Sequence, residues 1–334
     1  MLIVGIDMAK YKFDAGLWQN QSGESLGPYD NAAAGYGQLQ ASLIQREGAE
    51  EGIKLIIEPT GGYEMGLILF ALEQGWQVSL PNPKIVKDWA KGSGWRAKTD
   101  KQDAMMLAQY GTEKKPPCYQ PLSVTMQAFS DLVTRQEEIK KMLRSERNRL
   151  QQYQQRPRQT SRVIDSLENV IDALEKELAA VEEEAKSLIK NDQKLTLMRK
   201  RLLTIPGVGP VLVNHLLILL THWSLRTNNE GTGKQLVAFA GLDPQPYESG
   251  LTVYKRPTIS KMGDKLMRNK LYMAALGGVR GQNVLADFYQ RLVGRGKAKR
   301  LALVAAARKI LVWSWAVFVN EVDFDAAKAA PKQL

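Results

Sequence analysis

The sequence has very little cysteine and histidine, with one cysteine and two histidines among its 334 residues. The single cysteine, Cys118, excludes an intrachain disulfide and fits a reducing compartment. Two histidines are too few for a His-rich metal site. No charged segment followed by a long apolar run opens the chain, so no signal peptide is predicted. The longest apolar stretch, near residues 211–220, is too short to span a bilayer. We therefore expect a cytoplasmic protein without a membrane partner.

Acidic residues are scarce in one part of the chain. The formal net charge is +11, and residues 255–309 hold 14 Lys and Arg against 2 Asp and Glu. The other residues hold 32 basic and 33 acidic side chains, so the excess of positive charge belongs to this region. A basic region of this kind favours a polyanionic partner, nucleic acid before a membrane surface.

Residues 1–115 alternate strand and helix signals, which predict a mixed α/β domain. Strands are expected at residues 2–7, 12–18, 53–58 and 76–80, and helices at residues 35–46, 61–74 and 100–110. Pro81 and Pro83 predict a break in the chain. The sequence Lys114-Lys-Pro-Pro117 is typical of a linker and ends the domain.

Residues 116–200 predict two long helices interrupted at Pro157. The second helix carries apolar residues at alternating spacings of three and four, the a/d pattern of a coiled coil. They are Ile164, Leu167, Ile171, Leu174, Leu178, Val181, Ala185 and Leu188. We therefore predict a coiled-coil helical arm whose helices pair with each other or across subunits. The alternative is two amphipathic helices packed on a globular core.

Residues 201–325 predict a mainly α-helical C-terminal domain, and the Ala/Lys-rich tail at 326–334 is expected to fray. Helices are expected at residues 235–242, 265–277 and 298–320, with a loop at 244–255. The sequence from Leu203 to Leu212 resembles the hairpin of a helix-hairpin-helix motif, in which Gly207 and Gly209 let backbone amides approach a phosphate. A glycine-rich turn between two core helices explains the same sequence equally well.

Four acids are candidates for one metal site. Asp7 and Glu58 end predicted strands, whereas Asp100 and Asp103 are three residues apart on a predicted helix and share a face. Each acid alone has a simpler explanation, such as helix capping by Asp100. Together they favour divalent metal, Mg²⁺ (or Mn²⁺), because these ions prefer oxygen ligands. Two such ions can cleave a phosphodiester by stabilising both the attacking and the leaving oxygen.

Ser249 is a candidate nucleophile, because a serine before a glycine in a loop can present its hydroxyl group. An ordinary turn is the commoner explanation of a Ser-Gly dipeptide. A basic series follows it, and the near absence of acids there favours phosphate contact over a solvated helical face. The residues predicted to contact nucleic acid are Lys255, Arg256, Lys261, Lys265, Arg268, Lys270, Arg295, Lys297, Lys299 and Arg300.

Six short motifs in a fixed order resemble the DEDD-type transposases of insertion sequences. They are Gly5-Ile-Asp-Met-Ala-Lys10, Glu58-Pro-Thr-Gly-Gly-Tyr63, Lys98-Thr-Asp-Lys-Gln-Asp-Ala104, Ile205-Pro-Gly-Val-Gly209, Ala238-Phe-Ala-Gly-Leu242 and Tyr247-Glu-Ser-Gly250. Each motif is weak alone, but six in this order across nearly the whole chain are specific. The family includes Piv-like DNA invertases and recombinases guided by a bridge RNA.

The resemblance implies an RNase H-like (RuvC-like) fold for residues 1–115, similar to Holliday-junction resolvases. Its four Mg²⁺-binding acids fall on Asp7, Glu58, Asp100 and Asp103, and its nucleophilic serine falls on Ser249. Strand exchange is then expected through a phosphoserine intermediate, with acids and serine supplied by different subunits. The resemblance also implies a homodimer that assembles into a tetramer through the coiled coil. A structured noncoding guide RNA from the element would select donor and target DNA by base pairing.

Two other functions fit the same residues. A structure-selective DNA nuclease would use only the acids and would survive Ser249→Ala, whereas a recombinase would lose strand exchange. A non-catalytic nucleic-acid-binding scaffold, built on the helical arm and the basic region, would keep its function in Asp7→Asn.

Overall fold

The computed structural model describes residues 1–95, 99–249 and 253–329. The chain forms two compact units, Met1–Gln120 and Pro121–Leu334. The linker predicted at residues 114–117 lies just before this boundary. The helical arm predicted at residues 116–200 belongs mostly to the same unit as the C-terminal domain.

The first unit contains a five-stranded sheet in the order β3-β2-β1-β4-β5. Its strands are β1 (Leu2–Met8), β2 (Lys12–Gln19), β3 (Ser22–Asp30), β4 (Ile53–Ile57) and β5 (Gln77–Ser79). β1, β2 and β3 form an antiparallel meander, whereas β4 runs parallel to β1 and β5 parallel to β4. Its helices are α1 (Ala33–Leu43), α2 (Met65–Glu73), α3 (Pro83–Gly92) and α4 (Asp100–Lys114).

Two elements of this unit were not predicted from the sequence. β3 is a mostly exposed edge strand that contains glycine and proline, so it shows no apolar alternation. α3 begins where a break was predicted. Pro83 occupies its first turn and the Asn82 side chain caps it, accepting from the amide of Lys84 at 2.9 Å. Proline is well tolerated at a helix start, because the amide that it lacks has no partner there.

Side chains of β1 alternate between the two faces of the sheet. The even-numbered residues from Leu2 to Met8 pack with α1 and α2, whereas Ile3 packs with α3 and α4. Gly5 lies on the face of Ile3, and a Cβ atom there would overlap the carbonyl oxygen of Ala104 and the amide nitrogen of Ala108 in α4. The missing side chain therefore lets α4 lie directly on β1.

The second unit begins with a hairpin of two long helices, α5 (Val124–Gln154) and α6 (Ser161–Asn191). Ion pairs Lys140–Glu182 at 2.8 Å and Arg147–Glu175 at 2.6 Å show that the helices run antiparallel. Apolar side chains from both helices fill the seam between them; the buried ones include Ile139, Leu143, Ile171 and Val181. The two helices therefore pair with each other within one chain.

In its described residues, the rest of the second unit is helical apart from one β-hairpin. Its elements are α7 (Gln193–Leu203), α8 (Pro210–Thr227), α9 (Gly233–Phe239), β6 (Pro244–Ser249), β7 (Val253–Ile259), α10 (Lys265–Gly278), α11 (Val284–Gly294), α12 (Lys299–Asn320) and α13 (Ala326–Ala329). The prediction of a loop at residues 244–255 was wrong, because β6 and the start of β7 lie there. Its prolines are compatible with a strand, since Pro244 is the first residue of β6 and Pro246 lies at a register shift,.

Among the described residues, one helix, α12, is long and apolar enough to cross a membrane by length and composition. Its 22 residues exceed the apolar stretch near residues 211–220, which was predicted to be too short to span a bilayer. Within the second unit it supplies fully buried side chains to the main core, including Ala306, Ala307 and Ile310. These contacts are typical of the central helix of a packed core.

Candidate active site

Two of the predicted acids meet at one edge of the sheet. β1 and β4 are parallel neighbours, with Ile6 opposite Ile57. The next residues along the two strands, Asp7 and Glu58, therefore lie at the same edge, and the Glu58 amide donates to the carbonyl of Ile6 at 3.4 Å. This is the placement that the two strand ends predicted.

The other two acids lie in the first turn of α4. The Thr99 side chain caps this helix and accepts from the amide of Gln102 at 3.3 Å, so Asp100 and Asp103 sit where the helix dipole favours negative charge,. Because α4 rests on β1 at Gly5, its first turn lies beside Asp7. All four predicted acids line one pocket of about 660 Å³ in the first unit.

A fifth acid, Asp14, lines the same pocket and was not predicted from the sequence. It lies directly opposite Asp7 in the antiparallel β1–β2 pair, so both side chains project from the same face of the sheet,. Asp14 is only 4% exposed. The register of the β1–β2 hairpin would have predicted Asp14, because it places the acid of one strand opposite the acid of the next.

Negative charge is concentrated in this pocket. Burial raises the pKa of Asp7 to about 6, and the carboxylates of Asp103, Asp100, Glu58 and Asp14 act in the same direction. Carboxylates that repel one another in this way are typical of sites built for a cation or for proton transfer.

Two lysines partly neutralise the rim of the pocket. Lys12 lies 3.6 Å from Asp100 and Lys87 lies 3.6 Å from Glu58, measured between nitrogen and oxygen atoms. Both lysine side chains are more than half exposed, at 55% and 63%. The ion pairs are therefore weak and easily exchanged for another cation.

The donors of the pocket fit Mg²⁺ or Mn²⁺ in their chemistry, since all five are carboxylates,. Among the residues that the structure describes, no three His, Cys, Asp or Glu side chains converge closely enough to hold a metal ion. In the structure, Glu58 and Asp100 pair with lysine ammonium groups. Glu58 and Asp100 would exchange their ammonium partners for the metal ion.

The predicted nucleophile lies in the β6–β7 hairpin of the second unit. Ser249 is the last residue of β6, and its backbone pairs with that of Val253 at the start of β7. The side chains of Ser249, Lys255 and Arg256 lie outside the described part of the chain, as do residues 250–252.

The two glycines of the helix-hairpin-helix-like segment differ in their surroundings. Gly207 has a φ of +89°, and a Cβ atom there would come within 2.9 Å of the Ala274 carbonyl oxygen and 3.1 Å of Ile310. Core packing thus accounts for Gly207. Gly209 precedes α8 without a side-chain cap, and a Cβ atom there would meet nothing within 4 Å. Of the two, Gly209 leaves a helix N-terminus open to a phosphate.

The predicted basic residues also divide into two groups. Those with described and exposed side chains are Lys261, Lys265, Arg295, Lys297, Lys299 and Arg300. In contrast, Arg268 donates to the carbonyl oxygens of Ala240 and Gly263. Lys270 is 14% exposed and donates to Glu137 at 2.8 Å. Arg268 and Lys270 are therefore engaged within the protein, which does not favour phosphate contact.

Comparison with known proteins places the chain in a family. A model of DEDD-type IS110 transposases matches residues 4–156, and a model described as "Transposase IS116/IS110/IS902 family" matches residues 199–290. The chain belongs to the IS110 family of transposases. The first match covers the unit with the acid pocket, and the second covers the β6–β7 hairpin.

Two curated relatives of this transposase match nearly end to end. The pilin gene-inverting proteins of Moraxella lacunata and Moraxella bovis are each 31% identical over 328 residues, which cover 96% of this chain and 97% of theirs. The IS110-type transposase is thus an enzyme that acts on DNA.

Proposed function

We propose that this transposase cleaves and rejoins DNA strands through a covalent phosphoserine intermediate on Ser249, aided by Mg²⁺ (or Mn²⁺) held by Asp7, Glu58, Asp100 and Asp103. The observation that carries the metal-binding part is the convergence of these four carboxylates on one pocket of the first unit. Burial and the surrounding carboxylates raise the pKa of Asp7 there to about 6. A half-buried carboxylate repelled by its neighbours is stabilised when a divalent cation binds among them.

The proposed chemistry conserves the number of phosphoester bonds. The Ser249 oxygen attacks a DNA phosphorus atom, the hydroxyl proton passes to solvent or a nearby carboxylate, and a deoxyribose oxygen leaves and is protonated. A second DNA hydroxyl then attacks the phosphoserine, which restores the serine and joins the new strand. Bound Mg²⁺ would stabilise the negative charge on the phosphate oxygens. The acids orient the phosphate, and no external energy source is needed.

The first unit supports the RNase H-like (RuvC-like) part of the proposal. An antiparallel meander of three strands is followed by two parallel strands, and acids cluster at the edge where β1 and β4 end. Ligands of α/β sheets commonly bind at the carboxyl ends of parallel strands. A hydrolytic, Holliday-junction-resolvase-like nuclease would use the same pocket and is the second candidate.

The partners in this proposal are DNA and RNA. The exposed cations Lys297, Lys299 and Arg300 and the open helix start at Gly209 are suited to nucleic-acid backbones,. We further propose a noncoding guide RNA, a homodimer that assembles into a tetramer, and action on cytoplasmic DNA. The near full-length match to pilin gene-inverting proteins favours site-specific inversion as one outcome.

A trapping experiment tests the proposed chemistry. The protein is incubated with Mg²⁺, labelled element-junction DNA and RNA co-purified from cells that carry the whole element, and is then denatured. We expect a covalent protein–DNA adduct that disappears in both Ser249→Ala and Asp100→Asn. Ser260→Ala is the matched serine control and should keep the adduct.

The other outcomes select the alternatives. Cleaved DNA without an adduct, at the same rate in Ser249→Ala, would favour the hydrolytic nuclease. Full nucleic-acid function in Asp7→Asn would favour a non-catalytic scaffold.

The two groups of basic residues should respond differently to charge removal. Lys299→Gln together with Arg300→Gln is expected to weaken DNA binding and to lower the slope of log K against log[salt] by about one for each phosphate group that the protein no longer neutralises. The slope is measured in filter-binding titrations. Lys270→Met should instead lower the unfolding temperature, because it leaves Glu137 half-buried without its 2.8 Å partner,. An unchanged slope in the double variant would contradict the assignment.

A further inference from the structure

Asp14 differs from Glu58 and Asp100, the two acids of the pocket that pair with lysines, in having no cation beside it. In the part of the chain that the structure describes, it makes no hydrogen bond or ion pair, although it is 4% exposed. Lys12, two residues earlier on β2, directs its ammonium group to Asp100 instead. Lys87 pairs with Glu58. A largely buried acid with no hydrogen-bond or ion-pair partner in the described residues needs an explanation.

The position of Asp14 adds to the free-energy cost of keeping its carboxylate ionised in the folded protein. It lies directly opposite Asp7 across the β1–β2 pair, and like charges at such positions destabilise a sheet,. The next residue of β2 on the same face, Gly16, is covered by α4, because a Cβ atom there would meet the amide nitrogen of Met105 at 2.8 Å. Asp14 instead lines the pocket together with the four predicted acids.

Another buried acid of the same unit shows what a structural carboxylate looks like here. Glu64 is 6% exposed, accepts from the Gly62 amide at 2.9 Å, and also accepts from the hydroxyl group of Thr60. Asp14 has none of these bonds. The contrast indicates that Asp14 is not retained to hold the fold together.

We propose that Asp14 is a fifth metal-binding carboxylate of the transposase, acting on the divalent cation from the β2 side, directly or through a metal-bound water. This inference rests on the metal-binding part of the proposed function. The cation would neutralise Asp7 and Asp14 together, which explains why two acids face each other across the same strand pair.

The test compares cation binding and thermal unfolding of the full-length protein in Asp14→Asn and in the control Glu64→Gln. Binding of Mn²⁺ is followed by electron paramagnetic resonance, and unfolding is measured with EDTA or with Mg²⁺. For Asp14→Asn we expect Mn²⁺ binding to be at least about tenfold weaker than in wild type. Its unfolding temperature should be higher than that of wild type in EDTA and should rise less than that of wild type when Mg²⁺ is added. Glu64→Gln should unfold earlier in both conditions and keep wild-type Mn²⁺ affinity.

The outcomes separate this inference from the proposed function. If Asp7→Asn weakens Mn²⁺ binding and Asp14→Asn leaves it unchanged, Asp14 is not a metal-binding residue and the four-acid site stands. If the wild-type protein binds no Mn²⁺, both ideas fail. An Asp14→Asn protein that unfolds earlier in EDTA, or does not fold, would overturn the inference, because it would show that Asp14 has a structural role.

Discussion

Gly5→Ala is expected to destabilise the first unit by about 3 kcal/mol and to reduce DNA strand cleavage by about 100-fold. The added methyl group would overlap two backbone atoms of α4, the oxygen of Ala104 and the nitrogen of Ala108. Backbone cannot rotate away as a flexible side chain can, so α4 has to move off the sheet. Asp100 and Asp103 move with it, because they form its first turn. Thermal unfolding and the junction-DNA assay measure the two effects.

A glycine in an open position of the same unit provides the control. Gly37 lies within α1, and a Cβ atom there would meet nothing within 4 Å. Gly37→Ala should therefore be neutral or stabilise the protein by up to about 1 kcal/mol through helix propensity, with full activity. Hydrogen–deuterium exchange should show faster exchange of α4 in Gly5→Ala only. Wild-type stability and activity in Gly5→Ala would contradict the close packing of α4 on β1.

The sequence was most informative where apolar periodicity and strand ends coincide. β1, β4 and α4 carry strong local signals, and the four acids that they bear were predicted to meet in one pocket. Asp14 was missed because it follows Phe13 within a strand and looks like an ordinary polar position. Its meaning depends on the register that places it against Asp7, which is a property of the hairpin and not of either strand.

Long-range partners were the second limit on prediction. Lys270 was counted among the nucleic-acid-binding cations, but its partner Glu137 lies 133 residues away in the sequence. Arg268 similarly bonds a carbonyl oxygen 28 residues away. A count of charges cannot distinguish a cation that balances an internal acid from one that is free to meet a phosphate, because that distinction arises only when the helices pack.

Asp7→Asn should abolish DNA cleavage and yet stabilise the metal-free protein at neutral pH. The pKa of Asp7 is raised from 3.8 to about 6, so the folded protein holds this carboxylate at a cost above that pH. Allowing for partial solvent screening, removing the charge should increase the free energy of unfolding by about 1–2 kcal/mol. The charged groups that line this pocket with Asp7 are Asp14, Glu58, Asp100, Asp103, Lys12, Lys87 and Lys91.

The pH dependence identifies the cause of this stabilisation. Below about pH 3 the carboxyl group is protonated in both folded and unfolded chains, and the free-energy cost of its charge in the folded protein grows as the pH rises towards 6. In EDTA, the stability advantage of Asp7→Asn over wild type should therefore be full above about pH 6 and disappear towards about pH 3,. Asp88→Asn, an exposed acid on α3, should stay within about 0.5 kcal/mol of wild type,.

Addition of Mg²⁺ should reverse the order of stability. A ligand that binds only the folded state stabilises it by RT ln(1 + [L]/Kd), so wild type gains stability and Asp7→Asn gains little. An Asp7→Asn protein less stable than wild type in EDTA would show that Asp7 supports the fold. The reversal would show instead that stability is sacrificed at this strand end to keep a site ready for a cation.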